Sequence, residues 1–520
     1  MMISALKQLV APSSEPLHLY WSFRDSVRKH PAVMMHFDTS LPTFPELGIH
    51  ATYAEVLDAV ERRGAWPISH GMTPGTHTAV FKSASFDSYM WAVAIGYAGG
   101  VPVMISPHLP AETLDALLHR LDEPWVLYNA ETAEKVRTAN GATPEHKIHL
   151  ASYEPVDEPA APAPRGRVDA VAYMTHTSGT TGVPKLIVHS QTSMGWRVLW
   201  QQRILSAVDK DSLVAFHISP VHSRFNIGIA SLMSYGFSLL NISDPSLPNV
   251  DATLRRYRPK VLETHPNHFV RWLTLVESDP SAFSSIKYLH STFDAINKET
   301  MAKYLRASKY TVPVFLQVYG QSECGPMIMR AHTPQTLRLT NARWVGVGMP
   351  RMTKARIVDQ HGRVQRRRKS GAIQMYSRGR ALTYWREEER FNQNLYGQWW
   401  DSGDVGIKGY LGQIALLDRQ VDLIANVEST LALEDRLLDQ HSFLSEVVFV
   451  RGQAGEPQPV LAVADGHEMD WEAWWKSVAD LPHMAAPLVL PYEDLPRTAT
   501  MKVQRNQLEA ALPRLQASTA

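Results

Sequence analysis

The 520-residue chain carries 52 Lys and Arg against 51 Asp and Glu, a formal net charge of +1, with 44% hydrophobic and 20% charged residues. Balanced charge argues against a general nucleic-acid binder, which shows a basic stripe. The composition is that of a soluble globular protein with a sizeable core, and at roughly 150 residues per domain the length accommodates about three domains. The single cysteine, Cys324, leaves no disulfide framework and no cysteine-built metal site, which points to a reducing, cytoplasmic compartment. Met1–Pro12 lacks the apolar core of a signal peptide. The longest apolar stretch, Tyr89–Ile105, is interrupted by Gly96, Gly99, Gly100 and Pro102 and is too short to span a bilayer. Neither a membrane nor a nucleic acid is expected as a partner.

Residues 52–130 alternate helical and strand signals. Thr52 can cap a helix starting near Tyr53, with Glu55 completing a capping box. Val56, Leu57 and Val60 then fall on one helical face. Thr78–Phe81 reads as a strand, Ser88–Ala98 as a buried helix and Val101–Ile105 as the next strand. Ala111–Leu121 reads as a helix and Trp125–Tyr128 as a strand. Such alternation implies βαβ units and a parallel sheet. The Pro-rich stretch 155–165 reads as an exposed connector. A second series of strands follows at Val214–His217, Leu239–Ile242, Val261–Glu263, Tyr288–His290 and Val314–Val318. From about 345 to 417 short strands and Gly turns take over, as in Gly371–Tyr376 and Gln413–Leu417, and predict an all-β, barrel-like subdomain. The last hundred residues carry separate α+β signals, including the strand Glu446–Val450 and the helix Trp471–Val478.

The sharpest local signal is Thr177-Ser178-Gly179-Thr180-Thr181-Gly182-Val183-Pro184-Lys185, between strand-like Ala170–Met174 and Leu186–His189. Its glycines allow close backbone approach to a ligand, and successive N–H groups in such a turn form an anion nest. The hydroxyls of Thr177, Ser178, Thr180 and Thr181 add donors, and Lys185 adds a point charge suited to phosphate. It is not a Walker loop, because Val183-Pro184 separates Gly182 from Lys185. A polar surface hairpin is the plainer alternative.

With this loop the chain resembles the adenylate-forming enzymes: acyl- and aryl-CoA synthetases, amino-acid-activating adenylation domains and beetle luciferase. Tyr319-Gly320-Gln321-Ser322-Glu323 is similar to that family's Tyr-Gly-x-Thr-Glu, and Asp401-Ser402-Gly403-Asp404 to its Thr-Gly-Asp element. Gly412-Gln413-Ile414 through Asp418-Arg419 and Leu495-Pro496-Arg497-Thr498 through Lys502-Val503 resemble two further motifs. The five stand in family order.

The resemblance implies an α/β fold. Residues 1–418 would form a large AMP-binding domain of two parallel-sheet βα subdomains plus the barrel-like one. Residues 419–520 would form a small mobile α+β domain carrying the catalytic lysine. It also implies ATP- and Mg²⁺-dependent activation of an acid as its adenylate, with pyrophosphate release. Binding an anion against a polyanion makes the catalysis mostly alignment and charge neutralisation. In that scheme Glu323 holds Mg²⁺, a metal that favours carboxylate and water oxygens. Ser322 keeps a hydroxyl for the α-phosphate. Tyr319 stacks on adenine, with Gln317 and Val318 lining the base. Asp404 accepts the ribose hydroxyls, Arg419 reaches the ribose and phosphates, and Lys502 bridges acid and ATP oxygens.

The departures bear on the acceptor. The hinge position two past Arg419 is Val421, not Asp or Lys. The position six past it is Ala425, not a basic residue. Glu428 stands where a glycine would admit a pantetheine arm, and Met501 replaces the glycine before Lys502. Where relatives have Ser-Gly-Gly-Ala-Pro beside the acid, this chain has Ser291-Thr292-Phe293-Asp294-Ala295. Thr292 and Phe293 either fill the acyl space, leaving a small substrate, or the backbone shifts and the pocket lies elsewhere. Asp294 either binds an amino or hydroxyl group or bonds to neighbouring backbone. His222 matches the gate at the substrate entrance. Arg224 and Asn226 after it suggest a polar or anionic substrate, or else pair inward.

Three fates of the adenylate remain: transfer to CoA or a carrier-protein phosphopantetheine thiol, transfer to an amine or release, and activation of an unusual oxyanion such as nitrite to diazotise an aromatic amine. A non-catalytic nucleotide-binding homologue is the fourth alternative. Arg366-Arg367-Arg368-Lys369 reads as a solvated turn, or as a patch that docks a carrier protein. Trp471, Trp474 and Trp475 read as C-terminal core or interface, and Cys324 as packed.

Overall fold

The computed structural model describes residues 12–156, 160–177, 183–292, 296–340, 342–420, 424, 427, 429–464, 466–481, 483–497 and 503–519. Two large mixed sheets form the body. The seven-stranded one runs Thr383–Tyr384, Leu186–Ser190, Val171–His176, Val101–Met104, His77–Phe81, Trp125–Tyr128, Lys147–His149. The other has fourteen strands. Its parallel centre is Val314–Gln321, Tyr288–Ser291, Val261–Thr264, Leu213–His217, Ser238–Asn241 and Met34–Phe37.

A helical layer lies between the sheets. Phe86–Tyr97 is buried at every residue, as expected of a helix apolar all round. Beside it, Tyr53–Ser69 starts on the anticipated capping box: the Glu55 N–H donates to Thr52 Oγ1 at 3.2 Å, and the Thr52 N–H donates back to Glu55 Oε2 at 2.7 Å. One apolar cluster joins side chains of both sheets, such as Val80 and Leu127 with Val214 and Phe216, through these helices.

The sheets are mixed for a local reason. Val171–His176 and Leu186–Ser190 pair antiparallel because a short turn joins them directly, and parallel strands need a crossover. The sequence-predicted barrel-like subdomain is corrected by the structure. Trp344–Gly348 pairs with Gly325–His332 on one side and with Ile414–Arg419 on the other. Trp399–Lys408, Gly371–Ser377 and Thr353–Val358 then continue the large sheet outward to an open edge, and no closed barrel forms among the described residues. Where this extension begins, the pairing register shifts between Trp344 and Gly346, and Gly346 has φ +102°. A side chain there would strike Met329 O at 1.9 Å, so only glycine fits.

Beyond the large sheet, Leu444–Arg451, Pro457–Val463 and Leu488–Val489 form a separate three-stranded sheet. Helices Thr430–Gln440 and Trp471–Val478 supply further core residues on its side, and two apolar clusters here contain only residues from 424 onward. Trp474 is fully buried in this core. Trp471 and Trp475 instead stack on each other in solvent, 44% and 49% exposed.

Candidate active site

The phosphate-loop residues Ser178, Gly179, Thr180 and Thr181 lie outside the described residues, but the base of their turn is defined. The Thr177 N–H donates to Lys185 O at 3.0 Å, and the Lys185 N–H donates to Thr177 Oγ1 at 3.1 Å. Thr177 O accepts from His176 Nδ1 at 2.7 Å, while the Ser106 N–H donates to His176 Nε2 at 3.0 Å. The turn is therefore anchored to both neighbouring strands. Lys185 Nζ sits 3.4 Å from Tyr384 Oη and 4.6 Å from that ring's centre. Burial lowers the Lys185 pKa, and Glu323 opposes this.

Tyr384 Oη donates to Glu323 Oε1 at 2.7 Å, leaving Oε2 to other partners. Burial and the Glu323 charge raise the tyrosine's pKa, so it acts as a neutral donor. Lys185, Tyr384 and Glu323 thus converge from three distant stretches. Tyr384 was missed by sequence reasoning; an aromatic hydroxyl carries no local motif. A carboxylate with one oxygen in no hydrogen bond among the described residues, beside Lys185, fits Mg²⁺ held mainly by phosphate and water. Among the described residues no group of three or more His, Cys, Asp or Glu forms a metal cage.

Arg197 is a second missed residue. Its side chain is 1% exposed on helix Gln191–Leu205 and donates to Gly379 O, Ser223 Oγ, Ser322 O and Glu323 O at 2.6–3.1 Å. It thereby fixes the Ser322-Glu323 turn. Gly325 closes that turn with φ +75°, and a Cβ there would meet Arg197 Nε at 2.8 Å. Burial lowers the arginine's pKa to about 10, which leaves it charged at neutral pH. Between them, Cys324 is buried, its thiol pushed up to about 12 by that burial and so unreactive.

Tyr319 Oη donates to Asp404 Oδ2 at 2.5 Å. Asp404 sits on the Ser402-Gly403 turn, where its N–H donates to Ser402 Oγ at 3.1 Å, and it is the register partner of Arg419 across two antiparallel strands. The structure therefore brings Tyr319, Asp404 and Arg419 together. Gln317 is 1% exposed and donates to Ala342 O at 3.2 Å, with His332 Nε2 3.4 Å from its Oε1. Val318 packs with Trp200, Met349 and Met352. Lys502, the proposed catalytic lysine, lies outside the described residues; Arg497 and Val503 pair as a β-bridge on either side of its segment.

On the substrate side, His222 is the N-cap of helix Ser223–Tyr235, 5% exposed, with its ring 6.5 Å from that of His265. Arg224 turns inward. Its Nε and Nη2 donate to the two Glu263 oxygens at 2.7 and 2.6 Å, and both side chains are over nine-tenths buried. His290 joins them, with Nδ1 3.2 Å from Glu263 Oε2. Burial alone would raise the Glu263 pKa, but Arg224 and His290 outweigh it and bring it to about 2. Arg224 Nη1 and His290 Nε2 find no partner among the described residues. A Cβ on Gly228 would meet Nη1 at 3.3 Å, so the glycine leaves that nitrogen room. Thr292 is buried; Phe293 and Asp294 lie outside the described residues. Glu263 and His290 were not singled out from the sequence. Their signal was a charged or titratable residue inside a buried central strand, which requires a partner.

The family model described as AMP-binding enzyme matches residues 23–385. The chain belongs to the AMP-binding enzyme family. Among curated relatives of this AMP-binding enzyme, 3-amino-2-hydroxy-4-methoxybenzoate diazotase from Streptomyces cremeus is 35% identical over 508 residues, 91% of each chain. 3-Aminoavenalumate diazotase from a Streptomyces species is 23% identical over 455 residues, 81% of this chain and 76% of its own. Among solved structures, the o-succinylbenzoate coenzyme A synthetase MenE from Bacillus subtilis, in complex with AMP, superposes with a TM-score of 0.79 at 17% identity. The match covers 96% of this AMP-binding enzyme and 98% of MenE, and it establishes the shared fold.

Proposed function

We propose that this AMP-binding enzyme is an ATP- and Mg²⁺-dependent diazotase: it activates nitrite as a mixed anhydride with AMP and passes the nitroso group to an aromatic amine. The observation that carries this reading is the Arg224–Glu263 pair. Arginine usually grips a carboxylate with two nitrogens. Here Glu263 takes one N–H of Nε and one of Nη2, and Nη1, which finds no partner among the described residues, remains as a buried donor group for a small oxyanion. Similarity to the Streptomyces cremeus diazotase over 91% of both chains supports it.

In this scheme a nitrite oxygen attacks the α-phosphorus and pyrophosphate leaves. Tyr319 and Asp404 hold the nucleoside, and the Thr177–Lys185 turn the phosphates. Glu323, braced by Tyr384, would hold Mg²⁺, which neutralises phosphate charge when bound. Lys502, on the cap of residues 419–520, would bring its ammonium to the reacting oxygens. The residues departing from the family pattern, Val421, Ala425 and Glu428, favour an acceptor other than CoA.

The second reading makes a carboxylic acid the nucleophile, with transfer of the acyl group to CoA, a carrier-protein phosphopantetheine or an amine; the fold shared with MenE supports it. ATP–pyrophosphate exchange separates the two. Nitrite alone should drive exchange, and adding an aromatic amine should yield a diazonium ion trapped by azo coupling. Exchange driven by an aryl acid without nitrite, with thioester formed from CoA, would overturn the diazotase reading.

A further inference from the structure

We infer that His290 is the group that moves the amine's protons in the second half-reaction, with Glu263 as the positioning residue that fixes its tautomer; this rests on the diazotase reading. Glu263 and His290 are register partners on the adjacent parallel strands Val261–Thr264 and Tyr288–Ser291. Nδ1 of His290 lies 3.2 Å from Glu263 Oε2 and 3.5 Å from Arg224 Nη2. A guanidinium only donates and a carboxylate only accepts. The shorter contact therefore assigns the Nδ1 proton to a bond with Glu263. Nε2 then carries the lone pair. It is buried and meets no donor among the described residues, at a side chain 8% exposed. A buried acceptor left this way costs free energy until a ligand N–H or O–H fills it. The strand bearing His290 ends at Ser291, one residue before Thr292, which the sequence resemblance sets beside the acid.

Diazotisation needs such a group. The amine nitrogen attacks the nitroso nitrogen of nitrosyl-AMP; the N–N bond forms, and the N–O bond to AMP breaks with its electron pair leaving on AMP. The displaced N–H proton goes to Nε2. The imidazolium returns it to the nitroso oxygen, and the second N–H proton follows the same route. The remaining N–O bond then breaks and water leaves, giving the aryl diazonium. Both amine hydrogens end in that water, so no outside acid, base or oxidant is consumed. A carboxylate that holds an imidazole in one tautomer and steadies its cation is the logic of an acid–base dyad. Arg224 keeps Glu263 ionised, so Glu263 does not compete for the proton.

The test separates the half-reactions. In His290→Gln, diazonium formation should fall about 100-fold, the usual size of a lost general base, while nitrite-driven ATP–pyrophosphate exchange stays within about threefold. Imidazole added to His290→Ala should restore part of the amine step. Glu263→Gln should slow the amine step by less than His290→Gln does. Equal loss of both steps in a variant that unfolds at the wild-type temperature would overturn the inference, as would an unaffected amine step. Wild-type protein showing no nitrite-driven exchange would instead sink the diazotase reading itself.

Discussion

Two stretches of one sheet handle carboxylates in opposite ways. On the nucleotide side, Asp404 and Glu323 are partly exposed and held by neutral tyrosine hydroxyls, at 2.5 Å from Tyr319 and 2.7 Å from Tyr384. The hydroxyls orient these carboxylates without adding an opposite charge. On the substrate side, Glu263 is buried and its charge is matched inside the protein by Arg224. A tyrosine orients a carboxylate without neutralising it, whereas an arginine uses the charge up and turns the pair into a fixed wall. In the proposed scheme the first arrangement serves the nucleotide and the second shapes the substrate side.

The comparison can be broken from either side. The largest effect is expected at Lys502. Lys502→Ala should lower pyrophosphate exchange at least about 10³-fold through lost charge stabilisation, with ATP binding still measurable by calorimetry. Next comes the buried pair. Arg224→Met strands the Glu263 charge and should cost about 3–5 kcal/mol in chemical unfolding, most of which Arg224→Met/Glu263→Leu should recover, without recovering activity. If the single variant is as stable as wild type, the wall is not a matched pair.

Tyr384→Phe removes one hydrogen bond to a charged group, worth about 1.5–3 kcal/mol. It should raise the Mg²⁺ concentration needed for exchange while leaving the KM for the amine unchanged. The smallest effect concerns acid stability. Glu263 has a folded pKa of about 2, below the ordinary carboxylate value of about 4.3. Its pairing therefore contributes stability that is complete above about pH 4.3 and lost as pH falls towards 2. Glu263→Gln should flatten the pH dependence of unfolding in that window and nowhere else.

What the sequence discloses divides along the same line. The nucleotide side is written in short contiguous motifs, and one turn carries each: Thr177 with Lys185, Ser322 with Glu323, Ser402 to Asp404. Local elements are equally legible, because a capping box at Thr52 and an all-round apolar helix at Phe86–Tyr97 depend only on neighbours. The substrate wall depends on contacts between residues 39 and 27 positions apart, Arg224 with Glu263 and Glu263 with His290, and no local rule joins them. Arg197 bonds to turns 125 and 182 residues away. The barrel expectation failed for a related reason. Short strands and glycine turns report strand number, while closure depends on which edges meet, and here Trp344–Gly348 passes its pairing on to an open sheet.

The measurement that tests the central claim most directly follows oxygen. With nitrite labelled in ¹⁸O, ATP and an aromatic amine, the account predicts one labelled oxygen in the phosphate of AMP and the other in water, with an aryl diazonium formed. Unlabelled AMP alongside product would contradict it, as would label reaching AMP from an ¹⁸O-labelled carboxylic acid in a parallel reaction with unlabelled nitrite.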